Sequence, residues 1–332
     1  MNYAKERELA KKKHRKVKII VLSAVAVLIA VLTVVSCFIP TGTWKYKVSL
    51  PKVGVRADGE LRIHFVDVGQ GDATVIELPD GKNVLIDGGD DTEKTKVALL
   101  RYLNALKIET IDYLIVTHAD ADHCGGLDEV LKYKQIRQAY VPNVNPSAGV
   151  QYQEFYSLLE QEKCEITTLY RTGICKAETS GYTLSVLYPY PPSVMGEVND
   201  DNDASGVIWL DYHGVSTVFM GDAPATVEGT LKTEAGLGLL DRFAPTFSET
   251  EIIKLSHHGS NSASSAEFLQ SIQAETAIIS CGKNNVYGHP HEEVLQRLED
   301  EEITAYRTDT QGNIIVSVSQ NGTGYTVKKS KE

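Results

Sequence analysis

Hydrophobic positions follow two regimes along this chain. From Ile19 to Ile39 they are continuous: IIVLSAVAVLIAVLTVVSCFI runs 21 residues without a charge. At ~1.5 Å per residue this reaches about 30 Å, the thickness of a bilayer's hydrocarbon core. Lys11, Lys12, Lys13, Arg15, Lys16 and Lys18 stand immediately before it. Basic residues beside a span stay cytoplasmic, so the pattern predicts a single-pass anchor in the cell membrane with everything after Pro40 outside. Two other readings place the rest of the chain on the same side. One is a cleaved signal peptide, against which stand the length of the run and the lack of an A-x-A site. The other is a lipid on Cys37, because Val34-Val35-Ser36-Cys37 resembles a degenerate lipoprotein cleavage box. A buried core helix does not suit the basic collar.

Beyond the run, apolar residues alternate or come in short bursts. Residues 41–59 show no sustained period and read as a stalk. The expected organisation is therefore a basic tail (1–18), an anchor (19–39), a linker (40–59) and one large domain (60–332). Strand-like stretches begin at Leu61–Val66, Ala73–Leu78 and Asn83–Ile86, with Pro79-Asp80-Gly81-Lys82 turning between the last two. Thr92–Leu106 carries Val97, Leu100, Leu103 and Leu106 at helical spacing. Tyr113–Val116 is a short continuous apolar run, hence a buried strand, and Gly126–Tyr133 reads as a helix. Later strands are expected at 183–187, 207–210, 217–220, 252–255, 277–280 and 314–318. Helices are expected near 151–161, 224–233, 264–272 and 291–299. Strands meandering early and alternating with helices later predict an α/β sandwich.

Charge changes the picture. The whole chain is −11, but residues 1–18 carry eight basic and two acidic residues. The remainder holds 25 basic and 42 acidic residues, a net of −17. Such a domain does not hold a polyanion by bulk attraction. A phosphate-bearing substrate would need a local source of positive charge. Five scattered cysteines do not make a disulfide scaffold.

The sharpest chemistry is His118-Ala119-Asp120-Ala121-Asp122-His123-Cys124-Gly125-Gly126, at the exit of the Tyr113–Val116 strand. Two acids and two imidazoles crowded together are costly unless a divalent cation joins them. An EF-hand is excluded by the missing glycine and glutamate. Cys124 reads as a packed residue, not a nucleophile. Further ligand types sit where strands end: Asp87-Gly88-Gly89, Met220-Gly221-Asp222 and Ser256-His257-His258-Gly259, with Tyr287-Gly288-His289-Pro290 in a loop before a helix. Open α/β sheets place their ligands at such edges.

Taken in order, Asp87, HADADH, Met220-Gly221-Asp222 and Ser256-His257-His258-Gly259 resemble the metallo-β-lactamase superfamily. A finer resemblance is to the metallo-hydrolase domain of ComEC competence proteins. It rests on Phe65-Val66-Asp67-Val68-Gly69-Gln70-Gly71-Asp72, on Asp120 where most of the superfamily has histidine, on HHGS, and on Asn285-Val286-Tyr287-Gly288-His289-Pro290. It covers Leu61 to Val318. One span cannot be a multi-helix channel, so the chain is not expected to import DNA alone.

The resemblance implies an αββα sandwich preceded by one transmembrane helix, with two divalent metal ions, zinc or manganese. One metal would take His118 and Asp120. The other would take Asp122, His123 and one of His257 and His258, with Asp222 bridging. Consecutive side chains on a strand point opposite ways, so only one of that pair is expected to ligate. The first metal's usual third histidine is absent. Asn202 stands in its place, with Asp201 or Asp203 as substitutes. Asp87 is expected to hold strand ends by hydrogen bonds. Asp122, His258 and His289 are the expected catalytic residues. Asn202, Ser205, Asn285, Tyr287 and His289 are the expected substrate contacts.

Two metals about 3.5–4 Å apart share a hydroxide and neutralise charge on a phosphoryl group. Asp120 hardens the site toward manganese. The expected function is an extracytoplasmic metal-dependent phosphodiesterase or nuclease that uses a metal-activated hydroxide, with a phosphodiester substrate, DNA among the candidates. The competing enzyme reading is an esterase of choline-phosphate or another cell-envelope diester; lactam or lactone hydrolysis is less favoured. A reading of a different class is a non-catalytic metal-bound surface module. The membrane is a partner through the N-terminal helix, and no protein partner is readable.

Overall fold

The computed structural model describes residues 3–38, 41–143, 149–177, 181–195, 201–321 and 324–331. It divides into two compact units, Met1–Ser49 and Leu50–Glu332. In the first, a single helix runs from Tyr3 to Phe38, with Thr41–Thr43 and Trp44–Lys47 adding short turns. Among the described residues it is the one helix long and apolar enough to cross a membrane. The basic residues expected as a separate tail lie on this same helix, because Glu, Lys and Ala in residues 4–13 are good helix formers. Ile39, the expected last residue of the span, lies outside the described residues.

The second unit begins at Leu50, earlier than the expected boundary at residue 60. The end of the expected stalk is tied to the fold: Arg56 Nη1 donates to Leu78 O at 2.7 Å, and Tyr212 donates its hydroxyl to Gly59 O at 2.6 Å.

Its core is a pair of sheets. Strands β1 (Leu61–Phe65), β2 (Thr74–Glu77), β3 (Asn83–Ile86), β4 (Thr110–Ile115), β5 (Gln135–Val141) and β6 (Glu165–Thr168) open the chain. They are followed by β7 (Thr172–Ala177), β8 (Tyr182–Tyr188), β9 (Val207–Tyr212), β10 (Val215–Phe219), β11 (Ile252–Lys254), β12 (Thr276–Ile279) and β13 (Thr304–Arg307). The last two are β14 (Ile314–Val318) and β15 (Tyr325–Lys329). One sheet has the order β15-β14-β1-β2-β3-β4-β5-β6, the other β13-β12-β11-β10-β9-β8-β7. Leu61, Ile63 and Phe65 of β1 meet Ile208, Leu210 and Phe219 of the second sheet in one buried cluster. Behind the second sheet, Leu231, Phe268, Leu269, Val294 and Leu298 from helices Ala225–Gly236, Ala266–Ile272 and Glu292–Asp300 form another. The first sheet is covered on its outer face by the helix Glu93–Ala105, whose Tyr102 bonds His64 of β1. This is the αββα sandwich.

Five strands are new relative to the sequence reading: β5, β6, β7, β13 and β15. Four of them, β6, β7, β13 and β15, are sheet edges, where polar positions replace the apolar runs of central strands. The parallel neighbours β3–β4 and β10–β11–β12 bring their C-terminal ends to the edge where the ligand-type residues collect.

Candidate metal centre

Five loops build the site. The turn after β1 reaches Gly71, whose φ is +110°, and a Cβ there would lie 2.1 Å from the carbonyl oxygen of Asp122. Only glycine allows that approach. It lets Asp72 N donate to Asp122 O at 3.1 Å, while Gly88 N donates to His123 O at 2.6 Å. The HADADH loop is thus stitched to the ends of both β1 and β3.

Three imidazoles enter from different directions, each held at the nitrogen facing away from the centre. His123 Nδ1 bonds Asp87 Oδ2 at 2.8 Å, and His258 Nδ1 bonds the Ser280 carbonyl at 2.9 Å. A carbonyl only accepts, so His258 carries its hydrogen on Nδ1. Thr117 gives its single hydroxyl hydrogen to Asp87 Oδ2 at 2.8 Å and so accepts from His118 Nδ1 at 2.9 Å. The remaining oxygen of Asp87 takes the Thr117 amide at 2.8 Å. These bonds fix the tautomer in which the Nε2 lone pairs of His118, His123 and His258 point inward, as metal-binding histidines require.

The inward atoms converge. His123 Nε2 lies 3.1 Å from Asp222 Oδ1 and 3.3 Å from His258 Nε2. His258 Nε2 lies 3.2 Å from Asp122 Oδ2 and 3.5 Å from Asp222 Oδ2. Two ligands of one four-coordinate ion stand about 3.4 Å apart. His118 Nε2 is 3.6 Å from Asp120 Oδ2 and 3.9 Å from Asp222 Oδ2. His118 Nε2 and Asp222 Oδ1 are buried with no hydrogen-bond partner. Two lone-pair nitrogens face to face, with orphaned carboxylate oxygen beside them, suit a divalent cation.

Electrostatics agree. Burial disfavours a charged His258, yet Asp222, Asp72 and Asp122 outweigh it and push its pKa up to about 10. His123 is likewise raised against burial by Asp222 and Asp87. Burial also opposes ionisation of Asp222, but His258 and His123 hold its carboxyl well below the usual range. The centre therefore draws positive charge, and a cation entering it displaces protons. Metal uptake by the stripped protein is expected to release protons at pH 7, with affinity falling as pH falls. Calorimetry in two buffers of different ionisation enthalpy checks this; identical heats in both would contradict it.

Four buried donors lie within 4.8 Å of one another: Asp72, His123, Asp222 and His258. Asp72 is the member that sequence reading missed, and its geometry sets it apart. It approaches His258 at Nδ1, 3.3 Å away, and His123 at Nδ1, 4.0 Å away: the backs of both rings. Its second oxygen is ion-paired with the Lys254 ammonium. Asp72 places its charge behind the imidazoles, its Oδ1 buried without a hydrogen-bond partner, while Asp122 and Asp222 face their inner nitrogens. A lysine within the apolar run Ile252-Ile253-Lys254-Leu255 was the available signal for the buried acid.

The other expected residues fall as follows. Residues 256–259 form a tight turn and not a strand, with His257 and His258 both left-handed at φ 48° and 55°. The alternation argument for the pair does not apply there. His258 enters the buried centre, whereas His257 is partly exposed with Nε2 3.7 Å from Asp222 Oδ2. Ser205, expected against substrate, is fully buried and accepts the Asp222 amide at 2.9 Å. Asn202 lies in the turn Asp201–Ala204 leading to β9, and the adjoining residues 196–200 are outside the described residues. Asn285, also expected against substrate, spends its amide on its own loop: Nδ2 donates to Gly282 O and His289 O, and Oδ1 accepts from Tyr287 N and His289 N. Tyr287 is 60% exposed and stacks on His289, with ring centroids 5.7 Å apart. His289 stands 6.2 Å from His258 and 5.5 Å from His257 by ring centroid. Burial and these neighbouring rings lower its pKa to about 4, so it is neutral at pH 7.

A two-sheet α/β sandwich with histidines and aspartates gathered at its strand ends is the architecture of a metallo-hydrolase fold. Residues 66–283 match the metallo-beta-lactamase superfamily, and the chain belongs to that family. Among curated proteins it is similar to ComE operon protein 3 of Bacillus subtilis, at 30% identity over 270 residues, 77% of this chain and 33% of the relative. Recombination protein 2 of Haemophilus influenzae is 30% identical over 266 residues, 78% of this chain and 29% of the relative. Competence protein ComA of Neisseria gonorrhoeae is 27% identical over 265 residues, 80% of this chain and 33% of the relative. The chain thus spans about a third of the length of these relatives.

Proposed function

We propose that this chain is a membrane-tethered, extracytoplasmic phosphodiesterase or nuclease dependent on two divalent metal ions, zinc or manganese. The observation that carries the reading is the inward convergence of three Nε2 lone pairs on Asp122 and Asp222, inside a domain whose surface is acidic. His118, Asp120 and Asp222 would hold one ion, and Asp122, His123, His258 and Asp222 the other. Ions bound there supply Lewis acidity and lower the pKa of coordinated water. The chain's own residues orient and exclude. Asp87, Thr117 and Ser280 lock the imidazoles, Asp72 places its charge behind two of them, and Ser205 holds the backbone of Asp222. Neutral His289, at the margin of the centre, is placed to donate a hydrogen bond to a phosphoryl or leaving-group oxygen. Tyr287, exposed beside it, offers a face to the substrate. The names of the relatives, competence and recombination proteins, support DNA as the substrate class. The acidic surface favours a small or cationic diester as the second reading.

The test is a substrate panel. Full-length protein in detergent, loaded with manganese or zinc, is expected to hydrolyse bis-p-nitrophenyl phosphate and to cut DNA. Asp122→Ala is expected to remove both activities. Turnover of p-nitrophenyl phosphorylcholine without DNA cleavage would select the second reading. Diester turnover that survives Asp122→Ala would refute both.

A further inference from the structure

A second concentration of charge lies away from the metal centre, on the outer face of the first sheet. Side chains alternate along β1: Leu61, Ile63 and Phe65 enter the core, while Arg62 and His64 point outward. There the segment 52–55, β1, β14 and β15 enclose a cleft of about 250 Å³, lined among others by Lys52, Arg62, Lys328 and Lys329, with Glu60 its single acid. Arg62 is only 5% exposed. Its Nη2 donates to Val53 O, and its Nη1 is 3.5 Å from Glu77 Oε2. Glu77 is shared with Arg56 at 3.8 Å and His64 at 2.9 Å, and Arg62 Nε is buried without a hydrogen-bond partner. A buried guanidinium with an unfilled donor is costly unless something completes it. Arg62, Lys52 and Lys328 gather here against Glu60, in a domain whose balance is strongly acidic, while Lys329, paired with the core residue Ile314, lies on the other face of β15.

We propose that this cleft binds a phosphate group. Arg62 would supply the directed donor at its floor, and Lys328 of β15 and Lys52 the flexible charges at its rim. The ligand is either a free phosphate ion or the headgroup of an anionic phospholipid, since one wall of the cleft, the segment 52–55, follows the apolar helix by only a short stretch of chain. This inference does not depend on the reading of the metal centre.

Metal-loaded, full-length protein in dodecyl maltoside tests it through thermal unfolding. Potassium phosphate is compared with potassium chloride at equal ionic strength, and dioctanoyl phosphatidylglycerol with dioctanoyl phosphatidylcholine. Saturable stabilisation is expected, with its midpoint raised at least about tenfold in Lys52→Ala/Lys328→Ala, as loss of charge-assisted bonds requires. Both lysines are exposed, and diester turnover should be unchanged in this variant. A response to inorganic phosphate assigns the free ion; a response to phosphatidylglycerol alone assigns the headgroup; either supports the site. Phosphate held at the metal centre instead would inhibit turnover and leave the midpoint unmoved by the double substitution. That result, or no response to any probe, overturns the proposal.

Discussion

Asp222→Asn in the full-length protein is expected to abolish diester hydrolysis and to cut bound metal, measured by elemental analysis, to less than one ion per chain. Asp222 is buried, and its two oxygens address His123, His258, His118 and His257. Asp222 is the carboxylate that joins His118 to the inner nitrogens of His123 and His258. Substituting a group hydrogen-bonded behind a ligand costs about 10–100-fold in affinity or activity, and a buried carboxylate facing the inner nitrogens of the centre should exceed the upper end of that range. The asparagine keeps the shape, so the backbone bond from Asp222 N to Ser205 remains. A variant that keeps its metal and its rate would remove Asp222 from the centre.

Lys254→Met is expected to destabilise the domain by about 3–5 kcal/mol, because it strands a buried charge. That corresponds to a fall of about 5–8 °C in Tm for a domain of this size. Lys254 is 2% exposed and Asp72 5%. Burial alone would raise the Asp72 pKa; Lys254 and His258 reverse it and keep the acid ionised. Asp72→Asn combined with Lys254→Met should recover more than half of the loss, because the uncompensated charge goes too. Unfolding curves of the two variants decide the matter. An unchanged Tm in the single variant would show that the pair does not hold the acid.

Much of this was legible in the sequence because the chemistry is local. HADADH places four candidate ligands within six residues, and the apolar run before it marks the strand that delivers them. Asp222 and His258 were legible for the same reason, each just after a central strand. What was hidden depends on contacts between distant segments. Asp72 belongs to a glycine-rich turn, and only folding shows that it lies behind two rings and meets Lys254. His257 and His258 were read on a strand, but a left-handed turn bends them out of alternation. Asn285 looked like a donor for substrate until its four hydrogen bonds to its own loop appeared. The polar edge strands escaped because solvent on one side removes the apolar run that betrays a central strand.

The two halves of the centre come from opposite layers: His118 to His123 follow β4 in one sheet, whereas Asp222 and His258 follow β10 and β11 in the other. An ion gripped by both is therefore a rivet through the sandwich at its open margin. Its binding free energy, about 4 kcal/mol at a thousand times Kd, opposes separation of the two leaves. Catalytic competence and mechanical cohesion would then rise and fall together as the surroundings gain or lose metal.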